Sequence, residues 1–162
     1  MTSFLPFPPA SLLLVLTPVL IAGCGTADDP GAAPVAAVVP PDVAFPRDTD
    51  LHLSGMPGSA FGPAAPGMSR VTLRLTAKGV SGCSGVNRYF GPADFGRATG
   101  GYAVHVGRVA TTRMAGDPEA MRLETEFLGR LAAATTCRYE PGIWIFADGE
   151  GRERLRFIAP VQ

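Results

Sequence analysis

One stretch of this chain repeats its apolar residues at clear helical spacing. Leu123, Phe127 and Leu131 recur every four positions, with Ala120, Leu128 and Ala134 beside them. That is the stripe of a helix burying one face. Its start is written just upstream. Asp117 suits the N-cap, Pro118 the first helical position, and Glu119 complements the helix dipole. Arg122–Glu126 and Glu126–Arg130 are i,i+4 pairs for the wet side. One stripe of this width cannot cover many strands, so the rest of the chain must bury most of its own apolar surface.

The rest reads as strands. Leu51 and Leu53 share a face in Leu51–Ser54, and a Gly/Pro-rich loop, GMPGSAFGPAAPGMS, follows. Val71, Leu73 and Leu75 then alternate strictly with Thr72, Arg74 and Thr76, before a turn at Lys78-Gly79. Further strands are expected at Val86–Phe90, around Tyr102, Val104 and Val106 with His105 on the opposite face, and at Val109–Met114. After the helix come Cys137–Glu140, Ile143–Ala147 and Arg154–Ile158, the last two joined by the turn Asp148-Gly149-Glu150-Gly151. Short connections favour antiparallel pairing. The expected class is α+β: an antiparallel, barrel-like sheet curled on itself, with one principal helix.

The beginning of the chain has a different character. Residues 11–23 read SLLLVLTPVLIAG and are followed by Cys24. An apolar run of about a dozen residues is short for a membrane span and suited to a signal peptide. Ile21-Ala22-Gly23-Cys24 resembles a lipobox, which predicts diacylglycerol attachment at Cys24; Met1–Ala10 lacks the usual basic residues. Two or more acyl chains anchor stably. Gly25 is compatible with sorting to the outer membrane. Residues 24–46 form a Pro/Ala-rich stretch, with Pro at 30, 34, 40, 41 and 46, expected to be a disordered tether. The predicted organisation is a signal peptide at 1–23, a tether at 24–46 and a folded domain at 47–162. The expected location is the periplasm-facing bacterial envelope.

Net charge is zero but unevenly spread. Asp28, Asp29, Asp42, Asp48 and Asp50 face one Arg47, while the chain from Leu51 onward carries +4, its basic residues all Arg except Lys78. GC-rich coding accounts for that preference; an anion-binding face is the sharper reading. No nucleic-acid partner is indicated.

Three segments carry a family resemblance. The first is Val80-Ser81-Gly82-Cys83-Ser84-Gly85-Val86-Asn87-Arg88-Tyr89-Phe90-Gly91. The second is Thr111-Thr112-Arg113-Met114-Ala115-Gly116-Asp117-Pro118, and the third is Glu124-Thr125-Glu126-Phe127-Leu128-Gly129-Arg130-Leu131. Their order and spacing resemble the META domain, typified by the heat-shock lipoprotein HslJ, over roughly Leu51–Ile158. The resemblance implies a barrel-like α+β fold and, in some members, envelope or stress association. It brings no catalytic residues. Two cysteines frequent in the family are replaced by Val86 and Gly116, so the pair they could form is absent. The family's early Trp has no clear counterpart.

With Cys24 lipidated, Cys83 and Cys137 remain, and an oxidising compartment predicts a disulfide between them. The alternative is a redox-active Cys83, although there is no C-x-x-C and no His or Lys lies close in sequence to depress a thiol pKa. His52 and His105 read as surface strand residues, and no spacing resembles a metal site. No nucleophile motif is present. In the glycine-flanked Asn87-Arg88-Tyr89 turn, Asn87 either shapes the turn or helps form a ligand-contact loop. Arg88 and Tyr89 are the candidate partner contacts. Thr111-Thr112-Arg113 divides between helix entry and an anion site. Trp144 sits on core or on an exposed binding patch. The expectation is a non-enzymatic, cofactor-free lipoprotein domain that binds or stabilises another envelope component; the alternative is a redox or other enzyme using Cys83.

Overall fold

In the computed structural model, which describes residues 43–160, the expected helix runs Pro118–Ala133 (α1). The Asp117 carboxylate accepts from the Glu119 and Ala120 amides and caps it. Its inner face presents Ala120, Leu123, Glu124, Phe127 and Leu131. Cys24, the signal segment and residues 24–42 of the assigned tether lie outside the described residues.

Ten strands surround this helix: β1 (Leu51–Gly55), β2 (Thr72–Thr76), β3 (Gly79–Cys83), β4 (Arg88–Gly91), β5 (Ala93–Ala98), β6 (Gly101–Val106), β7 (Ala110–Thr111), β8 (Thr136–Glu140), β9 (Ile143–Ala147) and β10 (Glu153–Ile158). They form one sheet in the order β5-β6-β8-β9-β10-β1-β2-β3-β4-β7, and every pairing is antiparallel. The two ends of that order belong together. β4 runs into β5 through Pro92, and β6 leads to β7 after a short break where the Gly107 amide donates to the Pro92 carbonyl. One long bent hairpin thus pairs with β3 by its base and with β8 by its tip, which curls the sheet back on itself. The α+β, barrel-like expectation holds.

The alternating strands bury the residues predicted for them. Leu51, Leu73, Leu75, Leu155 and Phe157 meet Leu123, Phe127 and Leu131 in the core. Trp144 is buried, as is Ile145 on the opposite face, between Arg138 and Arg156 in the ladder. Trp144 is therefore core, and the exposed-patch alternative falls. His52 and His105 point outward from their strands, as expected.

Four expectations need correction. The turn expected at Lys78-Gly79 runs straight into β3, an unforeseen strand that begins at Gly79 and whose GVSGC sequence offers no alternation of apolar residues. β5 is equally unforeseen; its ADFGRA sequence is largely exposed. The strand expected over Val109–Met114 shrinks to Ala110–Thr111, because the residues beyond it leave the ladder to bond the Asn87 side chain. The tether assignment of 24–46 also runs too far. Phe45 is buried among Phe95, Tyr102, Trp144 and Phe146, with ring centroids 4.5 Å from Phe95 and 4.7 Å from Trp144. Its amide donates to the Tyr102 hydroxyl, which donates to the Val43 carbonyl. Phe45 belongs to the domain because burying an aromatic ring outweighs the local Pro/Ala composition.

Candidate functional site

The Asn87 turn builds a buried polar knot. Ser84 and Asn87 are closed into a tight turn by the Ser84 amide donating to the Asn87 carbonyl at 2.8 Å. Gly85 lies between them at φ 113°, a left-handed backbone that suits glycine, with Leu123 packed 3.3 Å from where a Cβ would stand. Glu124, on the inner face of α1, fills the turn. One carboxylate oxygen accepts from the Ser84 hydroxyl and the Asn87 amide, both at 2.8 Å; the other accepts from Asn87 Nδ2 at 3.0 Å. Asn87 Oδ1 in turn accepts from the Thr112 hydroxyl at 2.9 Å and the Met114 amide at 2.7 Å. No buried side-chain polar atom among the described residues lacks a partner. Asn87 and Thr112 are therefore structural: they tie the turn, the helix-entry segment and the helix together. The sequence reading missed Glu124 in this role. The available signal was an acidic residue one position after Leu123, on the apolar face.

The next two residues diverge. Tyr89, a candidate partner contact in the sequence, is instead buried in the core. Its hydroxyl donates to the Thr72 carbonyl at 2.9 Å, its ring meets Phe127 edge-on, and burial pushes its pKa up. The strand period sends it inward because Arg88 and Phe90, on either side, face out. Arg88 is exposed, as a contact residue must be.

Arg88 borders a groove on the outer face of β2, β3 and β4, with a volume of about 330 Å³. Arg70, Arg74, Ser81 and Cys83 share its lining with Asp50 and Thr72. The ladder sets these positions: Arg74 lies opposite Ser81, and Cys83 opposite Arg88. Arg74 is locked to Asp50 by two parallel bonds, Nε at 2.9 Å and Nη2 at 2.6 Å from the two carboxylate oxygens. That hydrogen-bonded pairing holds the Asp50 carboxyl below the usual range, against the opposing effect of partial burial. The guanidiniums of Arg70 and Arg88 have no hydrogen-bond or ion-pair partner among the described residues. Most other sheet arginines are paired: Arg138 and Arg156 with Glu153, and Arg152 and Arg154 with Asp148.

The expected Cys83–Cys137 disulfide is absent; both thiols are free. Cys83 ends β3 and Cys137 lies in β8, with β9, β10, β1 and β2 between them in the sheet. An oxidising compartment favours pairing of two thiols but does not by itself bring them together; the fold keeps these apart. Cys137 is buried, and desolvation pushes its thiol pKa up, with Arg138 opposing weakly. Cys83 is half-buried on the groove, its amide donating to the Thr72 hydroxyl. Among the described residues no three His, Cys, Asp or Glu side chains gather as a metal site. Val86 and Gly116, which replace the two family cysteines, do adjoin. A Cβ at Gly116 would stand 3.3 Å from the Val86 Cβ.

The same fold occurs in a solved protein from Burkholderia xenovorans. It is 24% identical, with a TM-score of 0.52 over 72% of this chain and 84% of that one. A second NMR structure is 18% identical over 68% of this chain and 87% of its own, with a TM-score of 0.45. No curated protein matches the chain. Residues 47–161 match the META domain. That span takes in the Asn87 turn, the helix-entry segment and the Glu124 helix that together make the knot, and the chain belongs to the META domain family.

Proposed function

We propose that this is a lipid-anchored envelope protein whose META domain binds another envelope component through the outer groove of β2–β4, without catalysing a reaction. The observation that carries the reading is the pair of unpartnered guanidiniums, Arg70 and Arg88, on a domain whose other conspicuous polar cluster is spent internally. The lipobox-like Ile21–Cys24 segment supports an anchor at Cys24, periplasm-facing and in the outer membrane. Anchoring raises the effective concentration toward membrane partners, so a shallow groove can suffice. A role in envelope stress follows the family resemblance.

The test is crosslinking in intact envelopes. An Arg70→Ala/Arg88→Ala variant, confirmed folded, should lose crosslinked species that wild type forms. An unchanged profile removes the groove from the reading. Mass spectrometry of the native N-terminus should find acylated Cys24; an unmodified mature terminus elsewhere removes the anchor.

A second reading, redox chemistry at Cys83, draws on one fact: Cys83 is half-buried beside the groove while Cys137 is buried. Alkylation of native protein should then modify Cys83 rapidly at neutral pH. A rate no faster than that of a free cysteine peptide would dispose of it.

A further inference from the structure

The charge balance of the groove points to the chemistry of its ligand. Three guanidiniums, Arg70, Arg74 and Arg88, face one carboxylate, Asp50. Asp50 neutralises Arg74 and fixes its fork. Arg70 and Arg88 make no hydrogen bond or ion pair of their own, and although Arg88 also feels the Asp50 carboxylate, three guanidiniums against one carboxylate leave the groove with a net charge of +2. Ser81, opposite Arg74 in the ladder, makes no side-chain hydrogen bond among the described residues and is free to donate. A monoanionic carboxylate would leave one positive charge unmatched. A phosphoryl dianion matches both and offers three acceptor oxygens, enough for two guanidinium forks and a hydroxyl.

An apolar surface adjoins this cationic one. Phe90, 60% exposed, stands opposite Ser81 on β4. It borders a second recess of about 250 Å³ that shares Ser81 with the groove and has Lys78 at its margin. A large aromatic left in water next to a hydroxyl and unpaired guanidiniums suits a ligand with an apolar portion attached to its anionic group.

We propose that the outer face of β2–β4 binds a phosphomonoester with an apolar substituent. Arg70 and Arg88 hold the phosphoryl group, Ser81 donates to it, and Phe90 packs against the substituent. This rests on the reading above only in using the same groove; it adds the class of ligand. The phosphomonoester belongs either to a lipid headgroup or to a soluble ester, and the same residues recognise both.

The test uses the full chain in zwitterionic detergent at low ionic strength, because exposed charges are screened by salt. Titrated with inorganic phosphate and with phenyl phosphate, the ¹⁵N-labelled protein should show saturable shifts at the Ser81, Cys83 and Arg88 amides. Phenyl phosphate should bind several-fold more tightly. Arg70→Ala/Arg88→Ala should weaken both probes by about tenfold or more, the loss of charge-assisted hydrogen bonds. Phe90→Ala should remove only the preference for phenyl phosphate. Amide shifts elsewhere confirm that each variant is folded. Vesicles of phosphatidylcholine with and without phosphatidic acid then distinguish the sources. Sedimentation with phosphatidic acid that needs Arg70 and Arg88 marks a lipid headgroup; binding of the soluble probes alone marks a soluble ester.

The proposal is overturned if neither phosphate probe gives saturable shifts, if the double variant binds like wild type, or if benzoate binds as tightly as phenyl phosphate. Should the double variant lose its crosslinked partners while phosphate fails to bind, the phosphoryl assignment falls and the binding of an envelope component stands. Phosphate binding with an unchanged crosslinking profile upholds the phosphoryl assignment and removes the envelope component from the groove.

Discussion

Asn87 and Arg88 adjoin along the chain, but the fold uses them in opposite ways. Asn87 turns inward to Glu124, Thr112 and Met114, and every polar atom of its side chain is engaged. Arg88 turns outward, its guanidinium facing a groove with no hydrogen-bond or ion-pair partner among the described residues. Both are polar residues within one motif. What separates their roles is where their hydrogen bonds go. A polar side chain saturated by its own protein has nothing left for a ligand, whereas one left open on a shaped surface does.

If the knot is structural, removing its centre should cost stability on the scale of a core residue. Glu124→Ala strands two buried Asn87 donors at about 1–3 kcal/mol each, so a loss of about 4 kcal/mol is expected in urea unfolding. That is comparable to the roughly 3–5 kcal/mol expected for Phe127→Ala on the same helix face. A loss below about 1 kcal/mol for Glu124→Ala would mean that the knot is incidental.

The junction beside the knot can be locked covalently. A Val86→Cys/Gly116→Cys variant places two Cβ atoms near the short end of the disulfide range, since the present separation is 3.3 Å. Closing a loop of this length should stabilise the oxidised protein by about 3–4 kcal/mol over its reduced form. Failure to form the bond under mild oxidation would contradict the contact.

A smaller effect separates saturated from open charges by pH. Burial tends to raise the Asp148 pKa. Hydrogen bonds from the Arg152 side chain and amide, then from Arg154 and the Glu150 amide, dominate and hold it at about 2. A depressed carboxylate stabilises the fold fully above its unfolded pKa, and loses that contribution as pH falls through the folded value. The stability gap between wild type and Asp148→Asn should be constant above about pH 5 and close toward pH 2. A gap independent of pH would show that the Asp148 charge is idle.

The smallest effect belongs to the groove. Arg70→Ala and Arg88→Ala should each change stability by no more than about 0.5 kcal/mol, as surface substitutions without partners do. A larger loss at Arg88 would show that it holds the turn together, and the contrast with Asn87 would disappear.

How much of this was legible depended on local repetition. The helix, its Asp117 cap and the closing β9–β10 hairpin announce themselves through spacing and turn residues. β3 and β5 do not, because Gly82 and Gly96 interrupt their apolar alternation, although both strands pair with their immediate neighbours along the chain. At Gly82 a Cβ would collide with the Thr72 carbonyl oxygen, so close backbone approach, invisible in one dimension, excludes a side chain there. The site divided in the same way. Arg88 was legible as an arginine beside a turn, whereas the inward course of Tyr89 depended on strand register. Arg70 and Arg74, from a separate part of the chain, join Arg88 only once β2 and β4 flank β3. Glu124 was hidden by its type, since an acid on an apolar face looks like an error until its three donors are in view.

Phe45 gives the junction with the preceding chain a mechanical character. Its ring is wedged among Phe95, Tyr102 and Trp144, and the backbone at 43–45 is pinned to the Tyr102 hydroxyl from both sides. Tension arriving from upstream would therefore load β6 and β9 through this aromatic latch before it reached β1. Force applied to the chain before Val43 would first have to extract a buried ring, which shields the first strand of the sheet from unravelling.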